Sequence, residues 1–256
     1  MDRFSSSVRS DPLGGHVRLR IPFLKTRRPS TRWCIQCGQE VAKFLPYRDG
    51  TRSPVTSGLE VIGSDVNNFS CPNCGGFDRE RHLLLYFDAL GLWHLVEGRR
   101  VLHIAPEANF GERVAARAST YIPGDLEPRD PRVMGVDLTS TPFEDGAFDF
   151  IIANHVLEHV LRDDLAMGEI ERILAPGGAA LLQTPFTPRL AASLENPSVT
   201  DPSLRMLLFG QEDHVRVYGT DLFDRLAGAG LKVSVTQHNE AMPDVDAARY
   251  GVNVLE

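Results

Sequence analysis

Between residues 99 and 238, short apolar segments alternate with segments of helical periodicity, and this alternation constrains the fold more than any other feature. Strands are predicted at "RRVLHIA", "TYIPGDL", "RVMGVDL", "AFDFIIAN", "AALLQTPF" and "LKVSVTQH", and helices at 107–119, 156–174 and "DLFDRLAGAG". Strands separated by helices predict a mainly parallel, doubly wound sheet with helices on both faces, so the fold class is α/β. Ligands of such sheets bind beyond the carboxyl ends of the strands.

The four cysteines form two C-x-x-C pairs, Cys34 with Cys37 and Cys71 with Cys74, and each pair is followed by glycine. Two such pairs supply the four thiolates of a tetrahedral zinc site with no open position, which indicates a structural metal. Disulfides are disfavoured in a cytosolic chain, and a redox motif needs only one pair. An iron–sulfur centre remains an alternative.

These features predict four regions and one insertion. They are a basic N-terminal arm over 1–32, a zinc-ribbon-like module over 33–78, a connecting helix over 79–98, and a main domain over 99–256 with an insertion at 186–218. Arg79, Arg81 and His82 at the start of the connecting helix are expected to lie mostly on a solvated face.

The charge and hydropathy of the chain exclude some functions. A net charge of −7 argues against a surface devoted to nucleic acid. The first 32 residues carry eight basic and two acidic side chains, so the remainder is more acidic still. This arm is either a solvated segment or a binder of an acidic partner. Neither a membrane span nor a signal peptide is evident, which predicts a cytoplasmic protein.

The loop after the first strand of the main domain, "HIAPEANF", differs from a phosphate-binding loop. A diphosphate needs consecutive backbone N–H groups and glycines, whereas Pro106 removes a donor and Ala105 and Glu107 add side chains. Glu107 would also repel a diphosphate. S-adenosylmethionine has no phosphate and carries a cationic ammonium group, so an acidic residue in this loop favours it as the cofactor.

Two carboxylates at the ends of the next strands suit the same cofactor. Asp125 ends "YIPGDL", where it can accept hydrogen bonds from a ribose diol. Asp137 ends "VMGVDL", where it can accept from an adenine amino group while the Leu138 backbone N–H donates to the ring. A single acid at a strand end is often only a cap or a turn former, but two on consecutive strands are stronger evidence.

The segment "VDLTSTPFEDGAFDFIIANHVLEHVLRDDLAMGEIERILAPGGAALLQTPF" resembles the class I S-adenosylmethionine-dependent methyltransferases. It has their acid, Pro-Phe turn, "FD" strand, Leu-Glu-His helix start and Pro-Gly-Gly turn. With "HIAPE", "CPNCGG" and "FGQEDHVRVYG", the chain is similar to a bacterial subgroup that has an N-terminal zinc-ribbon-like module. The resemblance spans residues 101 to about 238, and the loop without glycines departs from the usual pattern.

The resemblance implies roles for particular residues. Asp125 with Leu126 would hold the ribose, and Asp137 with Leu138 the adenine. Glu107 and the backbone from His103 to Ala105 would lie along the methionine moiety. Asn154 and His155 would face the sulfonium and the substrate. The family sheet normally ends with an antiparallel seventh strand, for which residues 251–256 are the candidate.

Methyl transfer is an in-line displacement that requires orientation, desolvation and, for some nucleophiles, a base. His155 and His159 are four residues apart and are predicted to share a helix face, as two metal ligands would. However, "HVLEH" is not the zinc-binding motif H-E-x-x-H, and no third metal ligand is evident. A packing or cofactor-facing role is therefore favoured for His159. His214 in the insertion is the preferred base. The predicted catalytic residues are His155, His214 and Tyr218, and the predicted substrate-binding residues are Glu158, Asp213, Arg216 and Tyr218.

The sequence therefore predicts a methyltransferase that acts on oxygen or nitrogen of a small metabolite or a modified peptide. An RNA methyltransferase is the alternative that the zinc module and basic arm favour, but the acidic body and the lack of an aromatic and basic platform oppose it. A non-catalytic cofactor-binding protein of the same fold is a further alternative. The oligomeric state is not indicated by the sequence.

Overall fold

A computed structural model of the protein describes residues 31–255, so the predicted arm over 1–32 lies almost wholly outside the described residues. The main sheet has five parallel strands, which are β3 (Arg100–Ile104), β4 (Thr120–Asp125), β5 (Met134–Gly135), β6 (Phe148–Asn154) and β7 (Leu174–Gln183). Their order in the sheet is β5-β4-β3-β6-β7. Two short antiparallel pairs accompany it, β1 (Arg32–Cys34) with β2 (Gln39–Val41) and β8 (Leu194–Glu195) with β9 (Arg216–Val217).

Helices cover both faces of the main sheet, which confirms the predicted doubly wound α/β class. The helices are α1 (Pro54–Gly58), α2 (Asp78–Ala89), α3 (Ala108–Ala115), α4 (Asp163–Ile173), α5 (Pro202–Phe209), α6 (Asp221–Gly228), α7 (His238–Ala241) and α8 (Ala247–Tyr250). One face packs α2 and α3 against Val101, Phe150 and Ile152 of the central strands. The other packs α4 and α6 against Leu102 and Ile151.

The connecting helix is shorter than predicted. It ends at Ala89, because Gly91 has a φ of 64° that an α-helix cannot accommodate, and a 3-10 turn over Leu92–Leu95 follows. Leu90, the residue after the end of this helix, is 40% exposed.

The predicted single helix over 156–174 is also wrong. His155 has a φ of 54°, a 3-10 turn covers Leu157–His159, and α4 begins only at Asp163. The guanidinium of Arg216 donates to the backbone carbonyls of three residues in the non-helical part of this segment. These are Leu157 at 3.1 Å, Leu161 at 3.0 Å, and Val160. Carbonyls that a helix would have paired internally are thus satisfied by a side chain from the insertion.

No strand forms at "LKVSVTQH", and residues 251–255 form no strand either. Leu231 and Val233 pack against the core without backbone pairing, and Val235 is 55% exposed. The alternating pattern is present, but this segment makes no backbone hydrogen bonds to any neighbouring strand that the structure describes. Within residues 31–255, β7 pairs only with β6, so its outer edge has no strand partner.

The insertion over 186–218 contains regular structure, namely α5 and the β8–β9 pair. Ion pairs hold it against α4 and α6. Glu195 accepts from Arg216 at 2.8 Å and from Arg225 at 2.7 Å, and Arg225 also donates to Asp163 at 3.0 Å. Linked ion pairs in one network contribute more to stability than isolated ion pairs at the surface.

The cysteine region is joined to the main domain through several contacts. Ile62 and Phe186 exchange backbone hydrogen bonds of 2.7 and 3.0 Å. Arg81 of α2 is fully buried, which contradicts its predicted solvated position, and its guanidinium donates to backbone carbonyls on both sides. The acceptors are Asn68, Phe69, Gly76, Tyr250 and Gly251. His82 is fully buried as well, with Nε2 2.7 Å from Nδ1 of His238.

Candidate functional site

The candidate site lies at the carboxyl ends of β3 and β6, the two central strands. The chain runs from β3 to β4 on one side and returns to β6 on the other, so the strand order reverses here, where doubly wound sheets bind ligands. Both strands are followed by a non-glycine residue in the left-handed region, Ala105 with φ 49° and His155 with φ 54°. Such strain costs about 1–3 kcal/mol per residue and is concentrated at functional sites.

Glu107 is the centre of a buried hydrogen-bond network that bridges the two strand ends. Its Oε2 lies 2.9 Å from Nε2 of His103, and its Oε1 accepts from Nδ2 of Asn154 at 2.7 Å. The other ring nitrogen of His103 lies 3.1 Å from the hydroxyl of Tyr121. Although Glu107 precedes α3, its side chain makes no capping hydrogen bond.

This network determines the charge of Glu107. Burial alone would raise its pKa, but the hydrogen bond and charge of His103, the charge of Arg79 and the Asn154 amide together hold the pKa below its ordinary value. The carboxylate is therefore ionised and already paired. The side chain of His103 is buried between β3 and α3, so only its backbone is available for the predicted cofactor contact.

Asn154 has one unsatisfied group. Its amide nitrogen faces the Glu107 carboxylate, and its Oδ1 is buried with no hydrogen-bond partner among the described residues. A buried acceptor without a donor costs about 1–3 kcal/mol. A cationic donor such as an amino-acid ammonium group would satisfy it, so this residue fits the methionine moiety of S-adenosylmethionine.

A cleft of about 440 Å³ adjoins the loop after β3. It is lined by Pro106 and Asp125 and by the following segment, and Leu126 beside it is 67% exposed. One oxygen of Asp125 accepts from the Glu127 backbone N–H at 2.9 Å. The full lining is Pro106, Asp125, Glu127, Pro128, Arg129, Asp130 and Val133.

Asp137 lies on the next strand end and makes local contacts. Its Oδ1 accepts from the backbone N–H of Thr139 at 2.8 Å and from the Thr139 hydroxyl at 2.7 Å. The carboxylate is exposed, whereas the Leu138 side chain is buried, so the backbone of Leu138 is the part available to an adenine. Both Asp125 and Asp137 thus form turns and still present carboxylates at the edge.

Three histidines surround the buried carboxylate of Glu158. Nδ1 of His155 lies 3.1 Å from Oε1 of Glu158, and Nε2 of His214 lies 3.9 Å from the same oxygen. The Thr184 hydroxyl donates to Oε2 at 2.9 Å. Nδ1 of His159, on the same turn, lies 3.3 Å from Asp213.

Two pKa values in this cluster are lowered, which favours the charged form of Glu158 and the neutral form of His214. Burial alone would raise the pKa of Glu158, but His155, His214 and His159 lower it to about 2. Burial lowers the pKa of His214 to about 4, against the opposing charge of Glu158. His214 is therefore neutral at neutral pH and a weaker base than a general base needs to be.

The structure corrects the predicted substrate roles of Arg216 and Tyr218. Both are buried, at 3% and 0% exposure. Arg216 is engaged with Glu195 and three carbonyls, and the Tyr218 hydroxyl donates to Asp163 at 2.8 Å, with burial raising its pKa. These contacts join the insertion to the turn after β6. Glu158 is likewise fully buried and faces histidines, and Asp213 contacts His159 at the surface.

The four cysteine sulfurs converge as the spacing predicts. All lie within 4.8 Å of one another, with Sγ–Sγ distances of 3.8 Å for Cys34 and Cys74 and 3.9 Å for Cys37 and Cys71. Four sulfurs at about 2.3 Å from one zinc ion would be about 3.8 Å apart. Gly38 and Gly75 follow the two pairs at φ 64° and 74°, and each donates its N–H to the carbonyl of the first cysteine of its pair.

Sequence reasoning missed Thr184, Gln36 and Glu80. Thr184 is 26 positions from Glu158, and Gln36 is 44 positions from Glu80, whose Oε2 accepts from its amide at 2.7 Å. No periodicity or motif marks contacts between residues so far apart. For Glu80, the sequence shows only that it lies near the start of the connecting helix.

Glu80 makes stability depend on pH. Burial and the nearby charge of Glu107 raise the pKa of Glu80 to about 7. The folded state thus binds more protons than the unfolded state between about pH 4.5 and 7, so the free energy of unfolding should fall as pH rises through that window, by an order of 3 kcal/mol. Glu80→Gln should lack this dependence. Chemical denaturation of both proteins from pH 4.5 to 8 measures it, and a difference between them that stays constant over the range would refute the expectation.

The comparisons with known proteins identify the domain. Residues 93–182 match a family described as a methyltransferase domain. No curated protein sequence matches the chain significantly. Within residues 31–255, no helix combines the length and hydrophobicity of a membrane-spanning segment.

Solved structures with a similar fold include a Bacillus halodurans protein assigned as a methyltransferase, with 16% identity, coverage of 65% of this chain and 79% of that chain, and a TM-score of 0.43. A S-adenosylmethionine-dependent methyltransferase from Mesorhizobium loti has 14% identity, coverage of 59% and 82%, and a TM-score of 0.42. One from Archaeoglobus fulgidus has 15% identity, coverage of 59% and 69%, and a TM-score of 0.42. At these levels the likeness carries no information on the acceptor.

Proposed function

We propose that the chain, whose residues 93–182 match a methyltransferase domain, is an S-adenosylmethionine-dependent methyltransferase that acts on an oxygen or nitrogen atom of a small metabolite or a modified peptide. The observation that carries the choice of a small acceptor is the insertion over 186–218, which packs onto the turn after β6. His214, Arg216 and Tyr218 are all at most 3% exposed there. An edge enclosed in this way suits a small acceptor better than an RNA, and the net charge of −7 supports the same choice.

The chain's own residues supply cofactor binding. Asp125 is proposed to accept hydrogen bonds from the ribose hydroxyls at the cleft, and the exposed Leu126 to lie against the adenine, with Asp137 and the Leu138 backbone contacting its edge. The Asn154 Oδ1 accepts from the ammonium group. The bound cofactor supplies an electrophilic methyl group. Binding both partners in one orientation accounts for much of the rate gain in such transfers.

For an acceptor that must lose a proton, we assign the proton-accepting role to His155 rather than His214. His155 is placed directly at the end of β6, and the Glu158 carboxylate at 3.1 Å orients its ring and stabilises its charged form. The low pKa of His214 makes that side chain the weaker base. Replacing His155 should lower turnover more than it lowers cofactor affinity.

Asp125→Ala is expected to weaken S-adenosylmethionine binding about 100-fold, because two hydrogen bonds to a charged acceptor are lost. Asp125→Asn should have an intermediate effect, since the amide oxygen still accepts the Glu127 N–H and preserves the turn. Isothermal titration calorimetry measures both affinities. Asp224→Ala removes an exposed carboxylate on α6 and should leave the affinity unchanged.

Equal affinities of wild type and Asp125→Ala would contradict the assigned site, and absence of binding by the wild type would contradict the function. The acceptor class is tested separately with a labelled methyl donor offered with a metabolite extract or with RNA. Transfer to RNA, together with RNA binding that weakens steeply with salt, would replace the proposed acceptor with the nucleic-acid alternative.

We also infer that the four cysteines hold a structural zinc ion in a zinc-ribbon-like module over 33–78. Support comes from the sulfur spacing, which suits a tetrahedral site, and from the four-thiolate set, which leaves no position for a substrate. The connecting segment 79–98 and the main domain 99–256 complete the proposed organisation.

A further inference from the structure

The cluster around Glu158 contains a buried ring nitrogen, Nε2 of His214, that has no hydrogen-bond partner among the described residues. Nδ1 of His214 lies 3.1 Å from the carbonyl oxygen of Phe209, which can only accept, so the ring hydrogen is on Nδ1. Nε2 of His214 is buried and has no hydrogen-bond partner in the described part of the chain. The nearest group is the Glu158 carboxylate, at 3.9 Å.

A separation of 3.9 Å suits a bridging cation better than a hydrogen bond. It exceeds the about 3.2 Å limit of an N–H···O contact, so a protonated Nε2 would not be satisfied either. A neutral Nε2 directs a lone pair at a carboxylate, which is repulsive. A metal ion with bonds of about 2.0–2.2 Å to both atoms would fit between them.

A third donor completes the set. One ring nitrogen of His159, one of His214 and one carboxylate oxygen of Glu158 all lie within 4.8 Å of one another. The two imidazole rings are nearly perpendicular, with centroids 4.7 Å apart. Asp213, 3.3 Å from Nδ1 of His159, orients that ring as carboxylates do behind metal-bound histidines.

We propose that Glu158, His159 and His214 form a second metal site, distinct from the cysteine cluster, that binds a divalent transition cation of the zinc class. Two imidazoles and one carboxylate favour zinc, cobalt, iron or nickel over magnesium or calcium. Three protein ligands leave a fourth position open. His159 is the most exposed of the three, with 30% of its side chain accessible, so this position opens towards solvent on its side.

The site lies next to the turn after β6, at the edge where the acceptor is expected to bind. It requires neither the cofactor nor methyl transfer, and its test reads out metal binding alone. The sequence alone had left the pair His155 and His159 without a third ligand. The fold supplies that ligand from the insertion, with His214 replacing His155 as the partner.

The test titrates Co²⁺ into the full chain whose cysteine cluster is already loaded with zinc. One further equivalent is expected to bind, with visible d–d bands and no sulfur-to-cobalt charge-transfer band. His214→Ala and His159→Ala should each weaken this binding at least about 100-fold, since each removes a direct ligand. His94→Ala, which removes an exposed histidine elsewhere, should bind Co²⁺ like the wild type.

His159→Ala guards against misfolding, because His159 is partly exposed and its loss should leave the thermal unfolding midpoint nearly unchanged. Binding of no further equivalent by the wild type would overturn the proposal. Binding that survives in both His159→Ala and His214→Ala would overturn it as well. A charge-transfer band would place the cobalt at the cysteines and have the same consequence.

Discussion

Cys34→Ser is expected to abolish zinc binding at the cysteine cluster and to unfold the segment around it. The apolar cluster there is small, with Cys34, Val41, Phe44 and Cys71 buried, so the proposed zinc ion is expected to supply most of the stability of this segment. Structural zinc sites contribute about 10–16 kcal/mol of binding free energy at neutral pH. Native mass spectrometry should show one zinc equivalent fewer per chain, and hydrogen exchange should show loss of protection in β1 and β2.

The matched control is Val41→Ala, which shortens a buried side chain of the same cluster without removing a ligand. It should cost about 1–3 kcal/mol and keep the full zinc content. Unchanged zinc in Cys34→Ser would show that the cysteines are not its ligands. Iron with acid-labile sulfide in the wild type would instead establish the iron–sulfur alternative.

Arg81→Ala is expected to lower the free energy of unfolding by about 4 kcal/mol, the second large effect. The guanidinium is fully buried and donates to five backbone carbonyls, including those of Tyr250 and Gly251 near the C-terminus. It also lies 3.8 Å from the ring centroid of Phe44. Removal would leave several buried acceptors unsatisfied, at about 1–3 kcal/mol each before relaxation.

Arg81→Lys should recover little of this loss, because one ammonium cannot reach carbonyls on both sides of α2 as the planar guanidinium does. Arg99→Ala, at an exposed position, should change stability by less than about 0.5 kcal/mol. Urea denaturation of the three variants measures the differences. A loss below about 1 kcal/mol in Arg81→Ala would contradict the structural role given to this residue.

The predicted helices and strands match the structure where the local sequence pattern and the long-range packing favour the same conformation. β3 and β6 are buried on both faces, so their apolar runs identified them; the α/β fold class is confirmed, and residues 93–182 match a methyltransferase domain. The helix over 156–174 failed because Arg216, 59 positions from Leu157, takes the carbonyls that a helix would use. The strand at "LKVSVTQH" failed because alternation alone does not determine whether a segment pairs with the open edge of β7.

In the candidate site too, features set by local sequence pattern were predicted, whereas features set by long-range packing were not. Asp125 was predicted because it ends a strand, Glu107 because it lies in the loop after one, and Asn154 through the family resemblance. The carboxyl edge of a parallel sheet brings such strand ends together. Their roles toward a cofactor stay predictions. The partners of Glu107, the burial of Arg216 and Tyr218, and the position of His214 beside Glu158 depend on how the insertion packs, which no local pattern encodes.

The amino-acid sequence by itself determined the parallel α/β sheet, the cysteine cluster and the acidic residues at the strand ends, because each follows from periodicity or spacing within a short stretch. Only the tertiary structure decided which of those polar groups are paired. It placed Arg81 in the interior, closed the insertion over the turn after β6, and brought His214 to 3.9 Å from Glu158. Those outcomes depend on contacts between residues tens of positions apart, where burial makes each unsatisfied polar group costly enough to select one arrangement.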